Sequence, residues 1–182
     1  MDRVIANLES ISAYENNALS TAKRAADIFA KLKNYDLNAV VDRYAKDYHL
    51  DRLVAQEHFI ELKKFLAVSA ASDEPIGMAG PVDDAWHTFL IFTREYAAFC
   101  EHCGKFIHHV PNTDEDSESS ATGYTTFLQI YELAFDDTPP ITIWPYRRTA
   151  DGLFASESCA GCGGQGGGGG GCSHCSACKD DG

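Results

Sequence analysis

The chain has 182 residues, 45% hydrophobic and 11% aromatic, and sets 15 Lys and Arg against 27 Asp and Glu for a net charge of −12. That length suits one domain, with or without an appendage, and the excess of acid makes a poor partner for nucleic-acid phosphates or anionic bilayers. No run of about 18 apolar residues is present to span a membrane, and MDRVIANLES lacks the apolar stretch of a secretory signal, so the expected location is cytoplasmic.

Apolar residues recur at helical spacing along most of the chain. Ala22, Ala25, Ile28, Phe29 and Leu32 form a first stripe, and Leu37, Val40, Val41 and Tyr44 a second. Leu53, Val54, Phe59, Ile60, Leu62, Phe65, Leu66 and Val68 predict a long, well-buried helix. Gly80 and Pro81 then punctuate the chain. Asp83 and Asp84 follow where a helix start favours negative charge, so capping accounts for them as well as chemistry does. Val82, Trp86, Phe89, Leu90, Thr93, Tyr96, Ala97 and Cys100 fit one continuous helix ending near Gly104. After an acidic loop from Asp114 to Ser120, Tyr124, Phe127, Leu128, Tyr131 and Phe135 predict a last helix, stopped by Pro139 and Pro140. The segment ITIWPY, residues 141–146, is short and β-prone. With no series of alternating strands and no internal repeat, the predicted fold is all-α: a single acidic domain of five or six helices over residues 1–154.

Composition changes near residue 155. Ten of the 15 glycines and five of the seven cysteines follow that point, and no large aliphatic residue does. Such a segment cannot build a core, so residues 155–182 are expected to be a disordered, flexible Gly/Cys-rich tail. Its cysteines run Cys159-x2-Cys162, then Cys172-x2-Cys175-x2-Cys178, with His174 among them. Two C-x2-C pairs joined by a loop suit one tetrahedral zinc or an iron–sulfur cluster. The odd count and the lack of a signal segment argue against a disulfide framework. A solvated tail with no specific role, and a Cys/Gly precursor modified by another enzyme, are the two alternatives.

The densest chemistry lies between Pro81 and Pro111, PVDDAWHTFLIFTREYAAFCEHCGKFIHHVP. On a helix Asp84 and His87 are i, i+3 neighbours and Asp83 and His87 are i, i+4 neighbours, so either pairing puts a carboxylate beside an imidazole. His102, about four turns further along the same predicted helix, is too far to share an ion with His87 and reads as a surface residue. His108 and His109 follow the break at Gly104; adjacent residues of an extended chain point to opposite sides, so one of the two is expected to fold back onto the His87 face. The candidate metal ligands are Asp84, His87 and one of His108 and His109, a set suited to zinc, iron or manganese with positions left open. Cys100 and Cys103 with the two histidines make a formal Cys2His2 set, but the spacing is tighter than in zinc fingers and Cys100 falls on the buried stripe.

These residues also carry a resemblance. Asp83 or Asp84, Trp86-His87, Tyr96, Phe99-Cys100, Gly104, and His108-His109 resemble the hallmark of the glycine-rich domain-containing protein-like family, known from plants and many bacteria. The Gly/Cys-rich tail is similar to that of its small bacterial members. Phe89 stands where the family pattern often has a second histidine, and Cys103 is not part of the pattern. The resemblance implies a helical domain and no particular reaction. Three functional readings stay open at this point. One is a metal-binding protein using the His/Asp site, the tail, or both. Another is an enzyme centred on His87. The third is a non-enzymatic interaction module whose protein partner the sequence does not name.

Overall fold

A computed structural model describes residues 2–110, 117–149 and 152–156. Six helices fill most of these residues: α1 (Asp2–Leu32), α2 (Asn38–Asp47), α3 (Arg52–Ala71), α4 (Val82–Leu90), α5 (Thr93–Cys103) and α6 (Ser117–Phe135). A two-stranded antiparallel sheet of β1 (Tyr146–Arg148) and β2 (Phe154–Ser156) follows, with Tyr146 opposite Ser156 and Arg148 opposite Phe154. The domain is all-α apart from this hairpin. The cysteines Cys159, Cys162, Cys172, Cys175 and Cys178 lie outside the described residues, and so do Asp114 to Asp116 of the predicted acidic loop. Residues 117–120, expected as loop, are helical and begin α6. Among the described residues, no helix is long and apolar enough to cross a membrane.

The fold is organised around α3, which packs against α1, α2, α4, α5 and α6. Asp51 starts it by accepting the Leu53 N–H at 2.7 Å, an N-cap that satisfies one of the helix's orphan donors. From Glu61 to Val68 every residue of α3 is buried, which is the signature of a helix enclosed on all sides rather than lying on a surface. Two cations stitch α3 to α1. Arg24 Nη2 donates to Ala71 O at 2.7 Å, at the end of α3. Lys63 Nζ donates to Lys33 O at 3.2 Å and Tyr35 O at 2.7 Å, just beyond the end of α1. The two helices run antiparallel here, and each supplies the positive group that satisfies the other's C-terminal carbonyls.

Two polar side chains of α3 sit in the core as a pair. Lys64 Nζ lies 2.9 Å from Glu61 Oε1. The Glu61 carboxylate also accepts from Tyr131 Oη at 3.2 Å and from Trp144 Nε1 at 2.7 Å. This ties α3 to α6 and to the turn after it. That turn corrects the expectation for ITIWPY: Ile143 and Trp144 both donate to Pro140 O, so residues 141–144 wind rather than extend, and the strand begins only at Tyr146. Winding is what swings the Trp144 indole inward to Glu61. Gly80 is wedged against the same turn. It has φ +78°, and a Cβ on it would stand 2.2 Å from Ile143 O, so no other residue fits there without moving one of the two segments.

A second correction concerns the long predicted helix from Val82 to Cys100. It is two helices. Leu90 ends α4, Phe92 leaves helical geometry at φ −87°, ψ 62°, and α5 restarts at Thr93. In one straight helix Trp86 and Tyr96 would be about 15 Å apart along the axis. Here Trp86 Nε1 is 3.1 Å from Tyr96 Oη. The reversal also brings Phe89 edge-on to Tyr96 and Phe99, with centroids 5.1 and 5.3 Å away.

The buried pair yields a stability prediction. Glu61→Ala leaves Lys64 only the more distant Asp137 carboxylate, at 3.5 Å, and removes the acceptor of Trp144, so it should cost about 3 kcal/mol in denaturant unfolding. Glu61→Gln keeps one carbonyl oxygen for Trp144 and should cost clearly less. Equal losses for the two variants would mean that the carboxylate's hydrogen bonds are unimportant.

Candidate functional site

The cluster of interest is built from two segments, the first turns of α4 and the chain after α5. Gly104 ends α5 with a left-handed φ of +85°, which reverses the chain at no steric cost. Residues 106–110 then run extended and alternate: Ile107 is buried and His109 faces inward, while Phe106, His108 and Val110 are exposed. Three bonds fix where this segment lies. Tyr96 Oη donates to Ile107 O at 2.5 Å, Trp86 Nε1 donates to Tyr96 Oη at 3.1 Å, and Lys105 Nζ donates to Ser72 O at 2.9 Å. Burial first, then the neighbouring Cys100, push the Tyr96 phenol well above its ordinary range, so it stays a neutral donor.

This arrangement sets the His109 ring against the Trp86 indole, 4.5 Å between centroids, and beside the His87 ring at 4.4 Å. His109 Nε2 is 2.9 Å from Asp83 Oδ1, and His87 Nδ1 is 3.5 Å from Asp83 Oδ2. One donor atom from each of Asp83, His87 and His109 lies within 4.8 Å of the other two. Ligands of a tetrahedral ion with bonds near 2.1 Å stand about 3.4 Å apart, so a small movement would close the set. His87 supplies that freedom, for its side chain is 50% exposed and that of His109 only 13%. All three residues line a cavity of about 1050 Å³ between the loop 72–81 and the segment 105–110.

The predicted site residues therefore divide. His87 and His109 come together, with Asp83 as the carboxylate between them. Asp84 points to the end of α2, where Tyr48, the residue just past it, donates from Oη to Asp84 Oδ1 at 3.3 Å. His108 lies beside Phe106, 4.8 Å between centroids with the rings tilted by 55°. His102 is exposed and bonds its own helix at Ala98 O. Cys100 and Cys103 are free thiols in the core, and burial, with Cys100 adding to it, pushes Cys103 up to about 12. Among the described residues, the cluster of possible ligands contains neither of them.

Sequence reading missed the layer beneath Asp84 and Pro81. Tyr44 Oη donates to Pro81 O at 3.2 Å and lies 3.0 Å from His58 Nδ1. With the phenol proton on Pro81, His58 Nδ1 carries the hydrogen shared with Tyr44. His58 belongs to α3 and Tyr44 to α2, so this relay fixes the start of α4 to both. Burial holds His58 below the ordinary imidazole range, and Glu57 and Asp84 oppose that only in part.

Two measurements check this framework. Tyr96→Phe leaves the Trp86 N–H and the Ile107 carbonyl without their shared partner, and should cost about 1–3 kcal/mol. The His58 relay predicts a pH dependence. The unfolded chain takes up a proton near pH 6.5 and the folded chain resists it, so this stabilisation is complete above about 6.5 and is lost as pH falls through that value. His58→Asn, which keeps a donor to Tyr44 and does not titrate, should lose less stability than the natural chain between about pH 7.5 and 5.5; parallel losses would show that His58 is not depressed.

No curated protein and no solved structure matches the chain. The UCP032817-like family model matches residues 26–134. That span is more than half of the chain and runs from the last two turns of α1 to the end of α6. It contains Asp83, His87 and His109 together with Trp86 and Tyr96, which position them. The chain belongs to the UCP032817-like family.

Proposed function

We propose that this protein binds a divalent transition-metal ion, zinc foremost, through Asp83, His87 and His109. The observation that carries the reading is the convergence of three donor atoms within 4.8 Å of one another at the wall of a 1050 Å³ cavity. Two imidazoles and one carboxylate suit zinc, and also iron or manganese. Three protein donors leave a coordination position facing the cavity. The surroundings favour cation entry, since Asp73, Glu74 and Asp84 line the same cavity and the chain carries −12 overall. The Trp86 and Tyr96 contacts hold His109 in place before any ion arrives, which lowers the entropy lost on binding. His109 Nε2 lies 2.9 Å from Asp83 Oδ1; an ion between them would take that nitrogen's lone pair, with the ring's one hydrogen on Nδ1.

The likeness to the glycine-rich domain-containing protein-like family accompanies this reading, because its Trp-His pair is Trp86-His87, the ligand and the ring that seats its partner. A cytoplasmic location accompanies it too: Cys100 and Cys103 are both unpaired thiols, as a reducing compartment would keep them.

Calorimetric titration with zinc tests the reading. Asp83→Asn, His87→Ala and His109→Ala should each weaken binding by about tenfold or more, while His108→Ala should leave it unchanged. Affinity should fall as the pH is lowered, because an imidazole ligates only through an unprotonated nitrogen. If all four variants bind zinc as the natural chain does, Asp83, His87 and His109 form only a surface ion-pair cluster.

A further inference from the structure

We infer that a small organic carboxylate with an apolar body binds in the pocket between α3 and the link from α1 to α2, its carboxylate taking the unused hydrogen of Lys63. This pocket measures about 500 Å³, within the range of small-molecule sites, and shares no lining residue with the His/Asp cavity. Two adjacent lysines of α3 show why it needs an anion. Lys63 and Lys64 are the buried lysines among the described residues, 8% and 9% exposed. Lys64 has the Glu61 carboxylate at 2.9 Å. Lys63 has no carboxylate partner among the described residues. Its ammonium gives two hydrogens to Lys33 O and Tyr35 O and keeps the third. Tetrahedral geometry directs that third hydrogen away from both carbonyls, and Lys63 lines the pocket. Asp36 also lines it but is exposed, and its Oδ1 accepts the Asn38 N–H at 2.9 Å. Burial lowers Lys63 from the ordinary lysine range, and Asp36 opposes this only in part. A buried charge without a close counter-charge is costly, and a chain with 27 acidic residues has left this one open.

The walls define the rest of the ligand. Leu37, Val41, Phe59 and Ile60 line the pocket with hydrocarbon, and Ile60 is an open apolar edge, 49% exposed. Asn34 and Gln56 add neutral amides. An inorganic anion would reach Lys63 but leave the apolar wall wet. A hydrocarbon would cover the wall but leave the ammonium unpaired. A second negative charge on the ligand would meet Asp36. One carboxylate on an aromatic or aliphatic body satisfies all of these surfaces. Lys33 lines the pocket as well, so two lysines against one aspartate give it a net charge of +1, in a chain that carries −12. The carboxylate would replace water at the third Lys63 hydrogen with a charge-assisted bond, stronger than a bond between neutral groups. The body would remove apolar surface from water. Lys63 keeps its two carbonyl bonds throughout, so capping α1 and holding the ligand are compatible.

Phenylacetate and octanoate, titrated into the natural full-length chain and followed by backbone amide NMR shifts, test the site. At least one acid should give saturable shifts centred on residues 33–41 and 56–63. Its uncharged amide, phenylacetamide or octanamide, should bind about tenfold or more weakly, because it loses the charged partner of Lys63. Lys63→Met should erase the preference for acid over amide. Since Lys63 also caps α1, that variant can fail to fold, and Gln56→Glu is the second test. Gln56 is half-buried at the pocket wall, and the change adds a negative charge there with almost no change of shape. It should weaken the acid several-fold and leave the amide unaffected. Equal binding of acid and amide would make this an apolar cleft and Lys63 a cap for α1 alone. Unchanged acid affinity in Gln56→Glu would put the carboxylate elsewhere. Absence of saturable shifts with both acids would overturn the site altogether.

Discussion

A single hydroxyl carries the geometry around the cluster of Asp83, His87 and His109. Tyr96 has one proton to give and gives it to Ile107, while its oxygen takes the hydrogen of the Trp86 indole. All of this is buried, so each partner would be an orphan if the others moved. The bond pair therefore forces three segments into one register. It requires α4 and α5 to fold back on each other at Ile91 and Phe92. It also fixes the phase of the extended chain after Gly104, and with Ile107 turned inward the next inward position is His109.

A second buried polar node holds the opposite side. Glu61 joins α3 to α6 through Tyr131 and to the following turn through Trp144, with Lys64 balancing its charge. Such a pair contributes little net stability against a well-packed apolar substitute, because desolvation offsets its attraction. Its contribution is directional: two aromatic residues from distant parts of the sequence must point at one carboxylate. Phe65 lies between the two nodes, with its ring 5.5 Å from Trp86, 5.2 Å from Phe127 and 6.1 Å from Trp144. The aromatic core is thus continuous from the Glu61 side to the indole that backs His109.

The helical stripes were readable because their apolar residues do face one core; Ala22, Ala25 and Leu32, for example, are all buried. The α4–α5 break was not readable. Both arms keep the same apolar spacing, since Phe89, Tyr96 and Phe99 meet in one cluster, and neither Gly nor Pro marks the turn. The pairing of a carboxylate with His87 was legible as i, i+3 or i, i+4, and only a residue from elsewhere separates the two. Tyr48, just past the end of α2, bonds Asp84 and leaves Asp83 to the histidines. That one of His108 and His109 would turn inward followed from extended-chain alternation. Which one depended on a hydrogen bond to the residue before them. Glu61 and Lys64 carry no sign of burial in a sequence, because enclosure of α3 is a property of its neighbours.

Gly80 shows how closely these parts are coupled. Its missing side chain is the space that the carbonyl of Ile143 occupies, and its own carbonyl receives the first turn of α4. The Trp144 turn and the carboxylate of Asp83 are therefore positioned from opposite sides of one residue. Sequence drift at this position cannot be absorbed by the core alone or by the cavity alone. Any change would be transmitted to both, so the two halves of the molecule are bound to vary together.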